Sequence, residues 1–291
     1  MSKVWLITGS SRGLGRQLAE SVLSAGYQLI ATARNPAQLA GLVERYGDQV
    51  HAVELDVTNP LAARNAIQTA VDTFGRLDIV VNNAGYGNIA AIEDITDKDL
   101  RAQMDTNFYG VVNVTRAAIP VLRKQGSGHI IQVSSIGGRL GAAGLSAYQS
   151  AKWAVEGFSE VLSKEVGPLG IKVTIVEPGG FRTDWAGSSM QIAAIRDVYK
   201  ATVGAHAAHA RASSGKQQGD PTKAAQVILQ VAEMAEPPLR LLLGSDAVYL
   251  AGLVAAQRSA EDERWKSLSL STDYEGTEDP AKRLAHLVDS K

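Results

Sequence analysis

Cysteine is absent from the 291-residue chain, which removes disulfides, thiolate metal sites and a cysteine nucleophile at once. An excess of charge of one sign is lacking too. The formal net charge is −1 and no block of lysine or arginine appears, so neither a general nucleic-acid surface nor a polybasic membrane patch is expected. Long apolar runs are also missing. The first, Val4-Trp5-Leu6-Ile7, ends where the glycines begin and is too short for a signal-peptide core. The most apolar later segment, Leu239 to Ala256, carries Arg240 and Asp246 and makes a poor membrane span. A soluble cytoplasmic protein without nucleic-acid or membrane partners is the expectation.

What is present is an alternation of short Val/Ile/Leu-rich runs with longer helical stretches, the pattern of strands and crossover helices in a parallel sheet. The runs are Val4–Thr8, Gln28–Ala33, Gln49–Leu55, Leu77–Asn82, His129–Ser134, Lys172–Glu177 and Arg240–Leu243. Between them helices are expected over Leu14–Ala25, Pro36–Tyr46, Pro60–Phe74, Asp99–Gln125, Tyr148–Val166 and Thr222–Met234. The pattern predicts an α/β fold, a doubly wound parallel sheet of about seven strands flanked by helices, in one domain over residues 1–243. A helix over Ala247–Glu263 and a polar tail fill residues 244–291, which either cover the substrate loop, pack on a partner subunit or fray at the terminus.

Doubly wound sheets bind ligands beyond the carboxyl ends of their strands. Six such ends here are polar or glycine-rich: Gly9–Gly15, Arg34, Asp56, Asn82–Gly85, Ser135 and Pro178-Gly179. The first, Thr8-Gly9-Ser10-Ser11-Arg12-Gly13-Leu14-Gly15, lies between a strand and a helix, where glycines permit close backbone approach and helix N–H groups suit phosphate. About 20 residues beyond the glycines, where NAD-binding folds place an acid on the adenosine ribose, stands Arg34. Arg34 and Arg12 can instead pair with a 2′-phosphate, which points to NADP(H); the alternative for each is a solvated surface charge. Asp56 can alternatively cap the helix entered at Pro60.

The chemistry centres on Ser135, Tyr148 and Lys152. Tyrosine and lysine four residues apart share a helix face. An ammonium beside a phenol favours the phenolate, so the pair is expected to make Tyr148 an acid/base usable near neutrality, with Ser135 offering a hydroxyl to the same substrate oxygen. His206 and His209 have no carboxylate or third ligand near in sequence, so no metal is expected.

These motifs together resemble the short-chain dehydrogenase/reductase family: Thr8-Gly9-x-x-x-Gly13-x-Gly15, Asp56, Asn82-Asn83-Ala84-Gly85, Asn107, Ser135, Tyr148-x-x-x-Lys152 and Pro178-Gly179-x-x-x-Thr183, in the family's order over residues 4 to about 184. The resemblance implies a Rossmann-type fold and a catalytic set of Asn107, Ser135, Tyr148 and Lys152. Tyr148 would be the acid/base; Lys152 would bind the nicotinamide ribose and hold down the tyrosine's proton affinity; Asn107 would keep a water in the proton relay. Gly9, Ser11, Arg12, Gly13, Leu14, Gly15 and Arg34 would form the phosphate end of the cofactor site. Asp56 and Val57 would contact adenine, Asn83, Ala84 and Gly85 the cofactor's middle, and Pro178, Gly179, Phe181 and Thr183 its nicotinamide end. Implied too is a homodimer or homotetramer built on Asp99–Gln125 and Tyr148–Val166.

The expected function is NADP(H)-dependent interconversion of a ketone or aldehyde and an alcohol. A β-ketoacyl thioester is the alternative substrate, and a non-catalytic NADP-sensing regulator the alternative of another class. The stretch about 185–215 is expected to close over substrate. Trp185, Met190, Ile89, Leu140 and Leu145 are either walls of an apolar pocket or ordinary core.

Overall fold

The computed structural model describes residues 2–187, 190–274, 276–277 and 279–285. It contains seven parallel strands, β1 (Val4–Ile7), β2 (Gln28–Ala33), β3 (Val50–Glu54), β4 (Ile79–Asn82), β5 (Gly128–Val133), β6 (Ile171–Pro178) and β7 (Arg240–Leu243), in the order β3-β2-β1-β4-β5-β6-β7. Strand order reverses between β1 and β4, so the loops after these strands diverge and leave a crevice at their carboxyl ends.

The strands read as apolar runs because helices cover both faces. Alternate residues of β1 point to opposite sides. Trp5 and Ile7 join the core packed by α1 (Gly13–Ser24), α2 (Ala40–Tyr46) and α8 (Pro221–Glu233). Val4 and Leu6 join the core packed by α3 (Pro60–Phe74), α5 (Gly110–Gln125) and α6 (Ser146–Val166). Between the last two strands also lies α7 (Ala205–Ser213).

Helix boundaries follow local capping. Asn59, not Asp56, caps α3: its side chain accepts the N–H groups of Leu61 and Ala62 ahead of Pro60. The expected helix over Pro36–Tyr46 opens with a 3₁₀ turn, Pro36–Leu39, capped by Asn35, before α2. The expected single helix Asp99–Gln125 is two, α4 (Asp97–Met104) and α5, separated by a π-helical turn over Asp105–Tyr109. That turn carries Asn107.

Two compact units divide the chain, Met1–Ala251 and Gly252–Lys291. The first runs past the expected boundary at residue 243 because α9 (Ser245–Leu270) begins there with Ala247 and Ala251 buried. The second contains the short α10 (Pro280–Arg283), capped by Asp279. Among the described residues no helix is long and apolar enough to cross a membrane.

Candidate active site

The turn after β1 is shaped by its glycines. Gly9 and Gly13 adopt φ of 70° and 56°, a region that side-chain-bearing residues enter at a cost. A Cβ on Gly15 would lie 2.4 Å from both the Asn83 amide nitrogen and the Gly9 carbonyl. Ser11 and exposed Arg12 occupy the outside of the turn, and Leu14 packs against the core. No side chain caps α1 and its first turn holds no acid, so its N–H end suits an anionic group. This glycine cradle at an uncapped helix start fits a dinucleotide pyrophosphate.

Thr8 joins this turn to the loop after β4. Its hydroxyl accepts the N–H groups of Asn83 (2.9 Å) and Ala84 (3.0 Å), while the Asn83 amide donates to the Thr8 and Gly9 carbonyls. Thr8 was legible as part of the motif, but not as the residue that holds Asn83 and Ala84 in place. Further along the crevice, Arg34 is exposed at the end of β2. Asp56 accepts the N–H and hydroxyl of Thr58, forming the turn after β3. Val57 is 7% exposed and faces Gly110, where a Cβ would stand 2.5 Å from it; Asn113 holds the Val57 carbonyl.

Asn107 is fully buried, and both ends of its amide bond the backbone of Tyr86: Oδ1 accepts its N–H at 2.9 Å and Nδ2 donates to its carbonyl at 2.8 Å. Gly85 permits this approach, since a Cβ there would lie 2.6 Å from Asn107 Oδ1 and 3.7 Å from Lys152 Nζ. The side chain of Asn107 is thus a splint between the π turn and the loop after β4.

Tyr148 and Lys152, on one face of α6, are 7% and 4% exposed. Ser135 follows β5 and caps the short turn Ile136–Gly138, accepting the Gly137 N–H at 3.0 Å. The three side chains meet as the spacing predicts, but their electrostatics differ from the expectation. Burial pushes the Tyr148 phenol up to about 12, against the hydroxyl of Ser135, which pulls it down. Lys152 Nζ lies 5.7 Å from the Tyr148 ring centre and donates to the Val133 carbonyl at 2.7 Å. Burial lowers its own value to about 8, opposed by the negative charge of Glu156. Both charged forms are penalised by removal from water, the largest cause of either shift. At neutral pH Tyr148 holds its proton.

Trp185 covers Tyr148, with ring centres 5.0 Å apart. Gly87 makes room for both, as a Cβ would meet Trp185 at 2.8 Å and Tyr148 at 3.3 Å. The covering segment is anchored rather than loose. Ile89 pairs with Ile192 in a β-bridge, and Arg196 binds Glu93 (2.7 Å) and Asp94 (2.8 Å). Ile89, Leu145 and Met190 belong to a small apolar core with Val203 and Ala207. These three are therefore core that seats the segment, while Trp185 faces the site; Leu140 is half-buried. Ser188 and Ser189, also in that segment, lie outside the described residues.

At the end of β6, Thr183 faces Gly13 across the crevice, at 3.6 Å from an added Cβ. Phe181 turns its ring into the core and pairs with Gly219. Pro178 is the last residue of β6, and Gly179 leaves space for Asp246, which accepts the Gly180 N–H at 2.7 Å. Among the described residues no group of three or more His, Cys, Asp or Glu side chains could hold a metal.

Comparison with known proteins agrees with this fold. The family model for short chain dehydrogenase matches residues 3–192. Oxidoreductase BOA17 of Botryotinia fuckeliana is 55% identical over 273 residues, covering 94% of this chain and all of that protein. A crystal structure of a short-chain dehydrogenase from Streptomyces avermitilis superposes with a TM-score of 0.88 at 38% identity, over 94% of this chain and 99% of the other. One from Burkholderia cenocepacia, in complex with NADP, gives 0.71 at 25% identity, over 90% and 97%.

Proposed function

Because the chain belongs to the short-chain dehydrogenase family, we propose that it is an NADP(H)-dependent reductase of apolar ketones or aldehydes, with Tyr148 as the proton donor. The observation that carries this is a buried tyrosine with Ser135 and Lys152 beside it, where β5 ends and α6 begins.

When bound, the nicotinamide would supply the hydride. The glycine turn and the start of α1 would hold its pyrophosphate, and Arg12 and Arg34 a 2′-phosphate; the Burkholderia cenocepacia relative binds NADP. Pro178, Gly179, Phe181 and Thr183 would bound the nicotinamide end, and Asp56 and Val57 the adenine. Tyr148 donates its proton to the carbonyl oxygen as that oxygen gains negative charge, and the Ser135 hydroxyl donates a hydrogen bond to the same atom. A phenol held up to about 12 by burial is the acid form that reduction requires. Lys152, within reach of Tyr148, lowers the cost of the phenolate left behind, and Asn107 fixes the loop against which Lys152 sits. Trp185 excludes water from Tyr148 and gives the substrate an apolar wall. Self-association near α5 and α6, where Tyr109 and Val161 are exposed, belongs to the same proposal.

The test is NADPH oxidation, followed by absorbance, against aliphatic, aromatic, steroid and ketoacyl carbonyls. Turnover of one class is expected, with Tyr148→Phe retaining NADPH binding and losing turnover by at least about a hundredfold. Equal turnover by Tyr148→Phe would refute the assignment.

A further inference from the structure

Behind the Ser135 loop lies a buried cluster of charges that the proposed reaction does not use. Glu177, at the end of β6, is fully buried and bound by Arg139 through two contacts of 2.7 and 2.8 Å. Glu156, one turn beyond Lys152 on α6, is 7% exposed. Arg240, at the start of β7, reaches Glu156 at 3.1 Å and Glu160 at 2.7 Å, and stands 3.9 Å from Glu177. The hydroxyl of Ser134 faces the Glu156 carboxylate across Gly138, where a Cβ would come within 2.8 Å of the first and 3.1 Å of the second.

The loop that carries Ser135 is therefore held on both sides of it. Lys152 binds the Val133 carbonyl, Glu156 faces Ser134, and Arg139 is tied to Glu177. A carboxylate four residues from a lysine on a helix also favours the charged lysine. We propose that Glu156 is a positioning residue for the reaction: its buried carboxylate aligns the Ser135 loop with α6 and keeps Lys152 charged beside Tyr148. This rests on the functional reading above.

The groups facing Glu156 are Lys152 and Glu160 on its own helix, Ser134 on the loop after β5, Glu177 on β6 and Arg240 on β7. Burial pushes Glu156 up to about 7; Ser134 and Arg240 pull it down, and Glu177 pushes it up. Its negative charge is thus only partly present at neutral pH, and Lys152, near 8, depends on it most in the same range. Removing that charge lowers the Lys152 value further.

The experiment compares wild type with Glu156→Gln, which has nearly the same shape without the charge, in two measurements across pH. In the first, the alkaline fall of kcat/KM, about tenfold per pH unit for one ionisation, moves to lower pH in Glu156→Gln, and Glu156→Asp restores it towards the wild-type position. The second needs no turnover. Lys152 has a folded value below its unfolded one, so the unfolded chain holds more protons between the two and stability rises with pH over that window. Glu156 itself, raised when folded, contributes a fall up to about pH 7 that Glu156→Gln also removes; above about pH 8, where that fall is over, the rise in urea unfolding is already at its full slope in Glu156→Gln but not yet in wild type. Ser134→Ala removes no ionisable group but lets the Glu156 value rise, so it moves both features the same way by less, and it decides the matter if Glu156→Gln does not fold. A lowered unfolding midpoint with neither feature displaced is the outcome of a purely structural role and overturns the proposal. If wild-type turnover survives Tyr148→Phe, the functional reading fails, while the unfolding measurement still decides the role of Glu156.

Discussion

Arg34 stands where an adenosine ribose would otherwise meet a carboxylate, and its exposure at the end of β2 leaves the guanidinium able to fork onto phosphate oxygens. On the proposed NADP(H) reading, replacing it with Asp would exchange a partner for a 2′-phosphate with one for ribose hydroxyls. A charge-assisted hydrogen bond contributes about 1.5–3 kcal/mol, so Arg34→Asp is expected to shift the ratio of kcat/KM for NADPH over NADH by about ten- to a hundredfold or more towards NADH. Steady-state rates with both cofactors measure this. That an arginine rather than an acid follows β2 was legible in the sequence, because it depends only on where the strand ends. The sign of the Tyr148 shift was not. Spacing predicts that Lys152 is near, but only packing shows that both groups are buried, that Trp185 lies over the phenol and that the ammonium donates one bond to the Val133 carbonyl.

Among the elements, the π turn between α4 and α5 does what a regular helix there would not. It turns Asn107 inward so that one amide binds both polar groups of Tyr86. π-helical turns of this kind recur at functional sites. Asn107→Ala leaves that N–H and carbonyl without their partner, at about 1–3 kcal/mol. It is expected to lower the thermal midpoint by several degrees and to reduce kcat more than it raises KM for NADPH, as calorimetry and kinetics would report. All seven strands and the α/β class were readable from composition and period, because parallel strands covered on both faces are continuous apolar runs. The helix break at Asp105–Tyr109 was not, since no proline or glycine marks its start. Nor was the Glu156–Glu177–Arg139–Arg240 cluster, whose members meet only through the pairing of β5, β6 and β7.

Across the whole molecule, the acid side of the stability curve belongs in part to His129 at the opposite end of the sheet. It is 3% exposed, with Nε2 2.9 Å from the Thr174 hydroxyl. That hydroxyl donates to the Pro238 carbonyl, so the imidazole donates to it from Nε2. Burial lowers its value to about 3, with Lys172 and Lys3 acting in the same direction. Below pH 6.5 the unfolded chain takes a proton that the folded one refuses, so stability falls as pH drops towards 3. The slope approaches ~1.4 kcal/mol per pH unit for this one group. Glu156, whose folded value is raised to about 7, acts in the opposite sense over the same range, so the test is the difference: between pH 4 and 7 urea midpoints of wild type are expected to lose more, or gain less, on acidification than those of His129→Gln.

The reversal of strand order has a consequence for the chain as it leaves the ribosome. β1 can pair with β2 once Ala33 has emerged, but its other edge waits for β4 at Ile79–Asn82, and its first N–H waits for the carboxylate of Asp78. Until then Val4-Trp5-Leu6-Ile7, the most completely buried strand of the finished protein, presents an unpaired apolar edge. Vectorial synthesis therefore exposes its stickiest surface first and closes it last among the pairings of β1, which makes the interval between residues 33 and 82 the period in which a nascent chain would draw on chaperones.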